Sequence, residues 1–354
     1  MFLKADNILF LLGAGASRDA NIPTTTMMID RIELLLEEKK EWQKYKNLYY
    51  CIKSSIMHGF GMIGSYEKNL VNIETLVNTM DELIKSIKHP IYPFVGSWIP
   101  RLAELTNNDF SIIEKFRKEI VTELFKWMKF EQNENIEYYK KFLKFHEEYK
   151  FIIRIFSLNY DRCVEEACSE GNINRGFDPA SHEWNWRNFE NEEKNEYNII
   201  LYKLHGSIDW EKTPTGFIKE IRGDINDGQE ALIFGTTYKM QYLDPFLYLI
   251  YEFRKRTLDP RTKAIICIGY SFGDEHINGI IKQSIIDNPG RKIIVVSPLE
   301  NGDIENKCEK IIEKIDIKTK ENIHYVPSNA KDFFNDILTV DYIENILPQE
   351  EIPF

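Results

Sequence analysis

The 354-residue chain is expected to fold as an α/β protein, with a Rossmann-like parallel sheet and a large helical insertion after its first strand. Three observations predict this. Short apolar runs, many of them rich in β-branched residues, recur at Ile8–Leu12, Phe151–Phe156, Ile199–Leu204, Ala231–Phe234, Ala264–Ile268, Lys292–Val296 and Ile323–Val326. They are continuous rather than alternating, the pattern of strands covered on both faces of a parallel sheet. Helical segments such as Pro245–Thr257 and His276–Ile286 alternate with them, and a long helical stretch, Thr26 to Tyr149, separates the first run from the second.

The first run stops at Gly13-Ala14-Gly15-Ala16-Ser17, and a helix of small and polar residues is expected to follow. A strand feeding a Gly-x-Gly turn at a helix start is an arrangement that brings backbone N–H groups up to a pyrophosphate. Glycine suits it because a Cβ would hold a phosphate off the backbone. The full dinucleotide fingerprint has a third glycine where this chain has Arg18, so the turn alone fits phosphate binding and plain packing about equally.

Beyond it, Met28, Ile29, Ile32, Leu35 and Leu36 share one helical stripe, and Ile73, Leu76, Val77, Met80 and Leu83 another. Phe110–Phe130 and Ile136–Tyr149 read as two further amphipathic helices. His58-Gly-Phe-Gly-Met-Ile-Gly64 is read as a glycine-rich connection or lid, and Asn188–Asn198 as a solvated polar loop. The core is thus expected to comprise residues 1–25 and 150–354. Residues 26–149 form the insertion, placed to cap the crevice above the strand ends.

The net charge of −11 disfavours a direct nucleic-acid surface, which must neutralise phosphates. The first residues carry no basic segment ahead of a long apolar core, and no apolar run reaches a membrane-spanning length, so a cytoplasmic location is expected. The five cysteines form no Cys-x-x-Cys pair, and Cys163 and Cys168 read as buried small hydrophobes on a helix; no metal site is expected. No Gly-Lys-Ser/Thr occurs, which excludes a standard P-loop.

Ligands of open α/β sheets bind outside the carboxyl ends of the strands. There the chain places Gly13, Gly15 and Ser17, then Asn159, Tyr160 and Asp161, then His205, Gly206 and Ser207, followed by Asp209 and Trp210. Gly235-Thr-Thr, Gly269-Tyr-Ser271 running on to Asn278, and Ser297-Pro298 follow the later runs. Each residue has a bland alternative. Asn159 and Asp161 suit helix capping, His205 suits a structural turn, and His276 and Asn278 suit a helix start. Convergence of glycines, hydroxyls, an amide, an imidazole and carboxylates at one edge is harder to explain by packing.

Four ordered motifs together resemble the sirtuin-like fold: Gly13-Ala-Gly-Ala-Ser17 with Ile22-Pro-Thr, Leu158-Asn-Tyr-Asp161, Lys203-Leu-His-Gly-Ser207, and Gly269-Tyr-Ser-Phe-Gly-Asp-Glu-His-Ile-Asn278. The chain looks most like the bacterial sirtuin-like NAD-consuming proteins of anti-phage defence. The resemblance implies that Gly13, Ala14, Gly15 and Ser17 hold the NAD+ phosphates. It makes Asn159 and His205 catalytic, with Asn159 on the nicotinamide ribose and Asp161 at the carboxamide. Gly269, Ser271 and Ser297 would line the adenosine side.

Two departures bear on the reaction. Pro23-Thr-Thr-Thr26 replaces the sirtuin Pro-Asp-Phe-Arg run, and the zinc cysteines of deacetylase sirtuins are missing. Both count against protein deacetylation and leave NAD+ cleavage standing, with NAD+ as substrate and no metal. The expected activity is therefore an NAD+ glycohydrolase that depletes NAD+ in anti-phage defence. With no recognisable sensor in the sequence, control is expected from homo-oligomerisation and, by family analogy, a HerA-type hexameric ATPase partner. The alternatives are an NAD-dependent protein deacylase or ADP-ribosyltransferase, a non-catalytic NAD or ADP-ribose binding module, and a structural subunit.

Overall fold

The computed structural model describes residues 3–64, 71–85, 100–129, 133–190, 197–221, 225, 229–234, 244–299, 303–318 and 320–347. Its strands are β1 (Ile8–Leu12), β2 (Ile153–Ser157), β3 (Ile173–Asn174), β4 (Ile199–Lys203), β5 (Gly206–Lys212), β6 (Ile218–Glu220), β7 (Glu230–Leu232), β8 (Ala264–Ile268), β9 (Lys292–Val296) and β10 (Ile323–Val326). Seven of them form one sheet in the order β10-β9-β8-β1-β2-β4-β3, with every pairing parallel. The chain is an α/β protein of Rossmann-like type.

The continuous apolar runs explain the sheet's depth. Ile8, Phe10 and Leu12 of β1 enter one hydrophobic cluster with Phe142, Phe145, Ile155 and Ile266. Leu9 and Leu11 enter the other, with Phe156, Tyr202, Phe253 and Cys267. Both faces of β1 are covered, as a parallel sheet requires. Burying each such side chain is worth roughly 1.5–3 kcal/mol, so this strand alone anchors the sheet.

The chain builds outward from β1 on one side through β2 and β4, then returns to the other side with β8, β9 and β10. The direction reverses between β1 and β8, the position where α/β sheets open a ligand crevice. Register brings the strand ends into line: Leu12 lies beside Ser157 and Ile268, Ser157 beside Lys203, and Ile268 beside Val296. The residues that follow these five strands therefore leave the sheet at one edge.

One expected strand belongs elsewhere. The Ala231–Phe234 run contributes to β7, which pairs antiparallel with β5 in a separate sheet of order β6-β5-β7. The cause is Gly206, whose φ of +86° reverses the chain directly after β4. A side chain there would meet the Ala231 carbonyl oxygen at 2.1 Å.

The chain divides into two compact units, Met1–Ile22 with Lys129–Phe354, and Pro23–Met128. In the first, Asn133–Lys140 is a 3-10 helix continued by an α-helix at Lys141–Tyr149. Their Tyr138, Tyr139, Phe142 and Phe145 pack with β1 in the core, so residues 133–149, counted by sequence with the insertion, lie in the unit of the sheet. The second unit contains helices Thr25–Glu38, Lys46–Met62, Ile73–Lys85, Pro100–Thr106 and Ser111–Trp127.

Most of the two expected stripes is buried there, Met28, Ile29, Ile32 and Leu36 on one helix and Ile73, Leu76, Val77 and Met80 on the other, with Leu35 and Leu83 half-buried. Tyr45 stacks on Phe116 with ring centroids 4.6 Å apart. The glycine-rich segment expected as a loop is helical: His58 to Met62 complete the helix begun at Lys46, which stops before Gly64 at φ +79°. Helix interiors tolerate isolated glycines at about 1 kcal/mol each. Of the expected polar loop, residues 191–196 lie outside the described residues, as does Gly235-Thr-Thr. Among the described residues no helix is long and apolar enough to cross a membrane.

Candidate functional site

Gly13 and Gly15 do meet a backbone closely, and it is their own chain's. The Gly13 N–H donates to Ile268 O at 3.0 Å and the Gly15 N–H to Gly269 O at 2.9 Å. A Cβ on Gly13 would sit 2.6 Å from Gly269 O, and one on Gly15 would sit 2.8 Å from Gly269 Cα. Gly269 itself has φ +63°, and a Cβ there would lie 2.1 Å from Ala16 N. Three glycines thus let the loops after β1 and β8 touch at the switch point, so the packing reading of this turn is satisfied in full.

Gly269→Ala combines a left-handed backbone with backbone overlap that no rotamer relieves. It is expected to destabilise the fold by at least ~3 kcal/mol, read as a fall in urea midpoint. An unchanged midpoint would contradict this packing.

Ala14–Ala20 continues as a 3-10 helix rather than an α-helix. This turns Ser17 inward, where it is 1% exposed. Its hydroxyl lies 2.9 Å from the Tyr139 hydroxyl and accepts from Asn159 Nδ2 at 3.2 Å. Ser17 therefore faces Asn159 across the ends of β1 and β2.

The loop after β2 is pinned at every residue. Asn159 N–H donates to Ser157 Oγ at 3.1 Å. Tyr160 O accepts from Ile208 N at 3.0 Å and Ser207 Oγ at 3.3 Å, and its hydroxyl donates to Ile233 O at 2.7 Å. Lys203 Nζ donates to Asp161 O. Within this frame Asn159 is buried, with Oδ1 lacking any hydrogen-bond partner among the described residues. An unsatisfied buried acceptor costs about 1–3 kcal/mol, a cost that proteins carry mainly where a ligand or water will meet it.

Asp161 behaves partly as the capping alternative predicts. Its Oδ1 accepts from Cys163 N at 3.0 Å at the start of helix Cys163–Cys168. Burial pushes the Cys163 thiol well above its usual range, Asp161 adds to this, and the thiol is inert as a nucleophile. Behind Asp161 lies a buried ionic cluster. Lys203 and Arg175 flank Glu165 at 3.6 and 3.7 Å, and Arg175 reaches Asp209 at 2.8 Å. Burial pushes the Glu165 carboxyl up, while Lys203 and Arg175 pull it down. Burial also opposes the charge on Asp209, yet Arg175 and Arg162 hold its carboxyl below the usual range. Lys203 links the cluster to the loop, since its Nζ meets both Glu165 and the Asp161 carbonyl.

His205 follows β4 and is 2% exposed. Its Nε2 lies 3.3 Å from Asp274 Oδ2. Asp274 comes from the loop after β8, so this contact reaches from one strand to another three places away, across the ends of β1 and β2. The other carboxylate oxygen of Asp274 accepts from His276 N at 3.0 Å and Ile277 N at 3.3 Å, capping helix Glu275–Asp287. The cap is thus Asp274, and neither His276 nor Asn278. Asn278 instead receives the Tyr270 hydroxyl at 2.9 Å and donates to Phe272 O at 3.0 Å, holding the loop in shape.

Ser271 is exposed, and Lys314 Nζ donates to its carbonyl at 3.2 Å. Ser297 is half-buried after β9, with its N–H on Val326 O at 3.2 Å. Both stand at the same edge as the rest. The structure brings together Ser17 with Asn159, and His205 with a residue to which sequence reading gave no role, Asp274. Tyr139 and Lys203 were likewise passed over. An Asp directly before a helical segment was the available signal for Asp274.

The arrangement offers an uncommitted amide acceptor and a carboxylate-held imidazole at one buried strand edge. Such a pair can orient a hydroxyl or a water and accept its proton. Among curated proteins, no sequence matches the chain. Residues 153–323, from the first residue of β2 to the first of β10, match the family model of the SIR2-like domain. Asn159, Asp161, His205, Gly269 and Asp274 fall inside the matched stretch, the Gly13–Ser17 turn outside it, and over that stretch the chain is similar to a SIR2-like domain.

Proposed function

We propose that the protein is an NAD+ glycohydrolase that releases nicotinamide and ADP-ribose. SIR2-like domains are typically NAD-dependent enzymes, and residues 153–323 are similar to one. The observation that carries the proposal is the pairing, at one edge of the sheet, of Asn159 with its unpartnered buried Oδ1 and His205 with its Asp274 contact.

The nicotinamide leaving group is cationic in the substrate and departs neutral, so its bond to the ribose breaks without an acid. The ribose then carries oxocarbenium-like charge, as in other glycosidic cleavages. Water adds to the anomeric carbon, and its proton passes to His205 and on to solvent. Asn159 Oδ1 accepts from a ribose hydroxyl or from that water and fixes its approach. In this assignment the phosphates pass along the Gly13-Ala14-Gly15 turn, Ser17 beneath it is turned inward to hold Asn159, Asp161 shapes the nicotinamide end, and Gly269, Ser271 and Ser297 border the adenosine.

An enzyme that destroys a central cofactor must be restrained. We assign that restraint to assembly: a homo-oligomer in the cytoplasm working with a HerA-type hexameric ATPase, in anti-phage defence. The test is incubation of purified protein with NAD+, alone and with that ATPase, following nicotinamide and ADP-ribose. Stoichiometric release of both is expected, and binding without release in every assembly would identify a binding module instead.

A further inference from the structure

Tyr139 stands outside the strand-end edge, on the 3-10 helix Asn133–Lys140, yet its hydroxyl is the far end of a buried relay. The phenol lies 2.9 Å from Ser17 Oγ, and Ser17 Oγ accepts from Asn159 Nδ2 at 3.2 Å. All three side chains are buried, Tyr139 completely. The last atom of the relay, Asn159 Oδ1, has no partner among the described residues.

From this geometry we infer that Tyr139 is a positioning residue for the proposed reaction, acting through Ser17 to hold the Asn159 amide with its acceptor free for substrate. A primary amide has one acceptor end and one donor end, and a half-turn exchanges them. Where the Ser17 proton is donated to the Tyr139 oxygen, Ser17 Oγ can only accept from Nδ2 and the amide is held in one sense. Without the phenol, the serine proton is free to turn toward the amide and accept the opposite sense as well. The ground state would then be shared between two orientations, only one of which offers Oδ1 to a ribose hydroxyl or water.

The phenol is itself firmly placed. The Tyr139 ring stacks on Tyr138 at 4.5 Å and meets Phe334 at 5.4 Å, and Tyr138 donates to Ala16 O at 2.7 Å. Phe334 belongs to a π-helix, Phe333–Ile337, whose wider turn presses both phenylalanines into the core. Burial pushes the Tyr139 hydroxyl well above its ordinary range, so it remains a neutral hydrogen-bonding group at any working pH. Its part is orientation and not proton transfer.

This inference rests on the NAD+-cleavage reading, and its test separates the two. Tyr139→Phe keeps the ring and removes only the hydroxyl. It is expected to lower kcat about tenfold with KM for NAD+ changed less than about twofold, since a misoriented amide costs the reacting step more than binding. In the Ser17→Ala background, where the relay is already cut, Tyr139→Phe should lower kcat no further. Melting curves establish that each variant is folded before rates are compared. Wild-type kcat in folded Tyr139→Phe, or an equal further loss in the Ser17→Ala background, would overturn the relay while leaving NAD+ cleavage intact. Absence of NAD+ cleavage by the wild-type protein in every assembly would overturn both.

Discussion

Asn159→Ala is expected to abolish NAD+ cleavage while leaving the protein as stable as wild type, and His205→Ala to lower cleavage by about 10²–10⁴-fold. The two differ in their structural cost. Removing Asn159 breaks one hydrogen bond to Ser17 but also deletes an acceptor that has no partner among the described residues. These effects, each on the order of 1 kcal/mol, oppose each other, so the melting temperature should stay within a few degrees. A residue whose removal costs activity and nothing in stability is one held in place for a ligand. Removing the His205 imidazole leaves a small cavity and takes one hydrogen-bond contact from the Asp274 carboxylate. A loss of roughly 1–3 kcal/mol follows, well inside the margin of an ordinary domain. Nicotinamide release and thermal melting of the same preparations measure both halves. Turnover retained by folded His205→Ala would remove it from the base role.

Asp274 carries the second large effect, because its two oxygens do two different jobs. Oδ1 caps helix Glu275–Asp287, and Oδ2 meets the His205 imidazole. Asn caps helices as well as Asp does. Asp274→Asn should therefore preserve the helix while removing the carboxylate oxygen that fixes the imidazole's tautomer and orientation. When an analogous carboxylate in serine proteases is replaced by its amide, the rate falls by about 10⁴-fold. A smaller fall, about 10²-fold or more in kcat, is expected here, since the imidazole only receives a proton from water. Asp274→Ala should fall as far in kcat and lose a further ~1 kcal/mol of stability with the cap. Equal kcat in wild type and Asp274→Asn would reduce Asp274 to a helix cap.

Legibility of the fold varied with how local its cause was. The strands β8, β9 and β10 coincide with their apolar runs, because burial on both faces leaves a signal in each residue. The sheet β6-β5-β7 was not legible, since its origin is a single positive φ at Gly206 and its strands are short. The helix through Gly59 and Gly61 was missed for the opposite reason. Glycine marks turns on average, but here the helical pattern of its neighbours prevails.

The site divides the same way. Asn159 and His205 were visible because each follows an apolar run directly. Asp274 was hidden because its partner lies 69 residues away, and only the strand order β8-β1-β2-β4 brings them together. Tyr139 was hidden deeper, in a stretch whose aromatic residues all read as core. Gly13 and Gly15 were visible, but their cause was not: the close neighbour is Gly269, a residue of another strand end.

The most direct measurement is the rate of nicotinamide release from NAD+ by the purified protein, alone and with the proposed HerA-type ATPase, run beside Asn159→Ala. Release of nicotinamide and ADP-ribose in equal amounts by the wild type, absent in the folded variant, is the expected result. No release by the wild type in any assembly, or equal release by Asn159→Ala, would contradict a catalytic site at this strand edge.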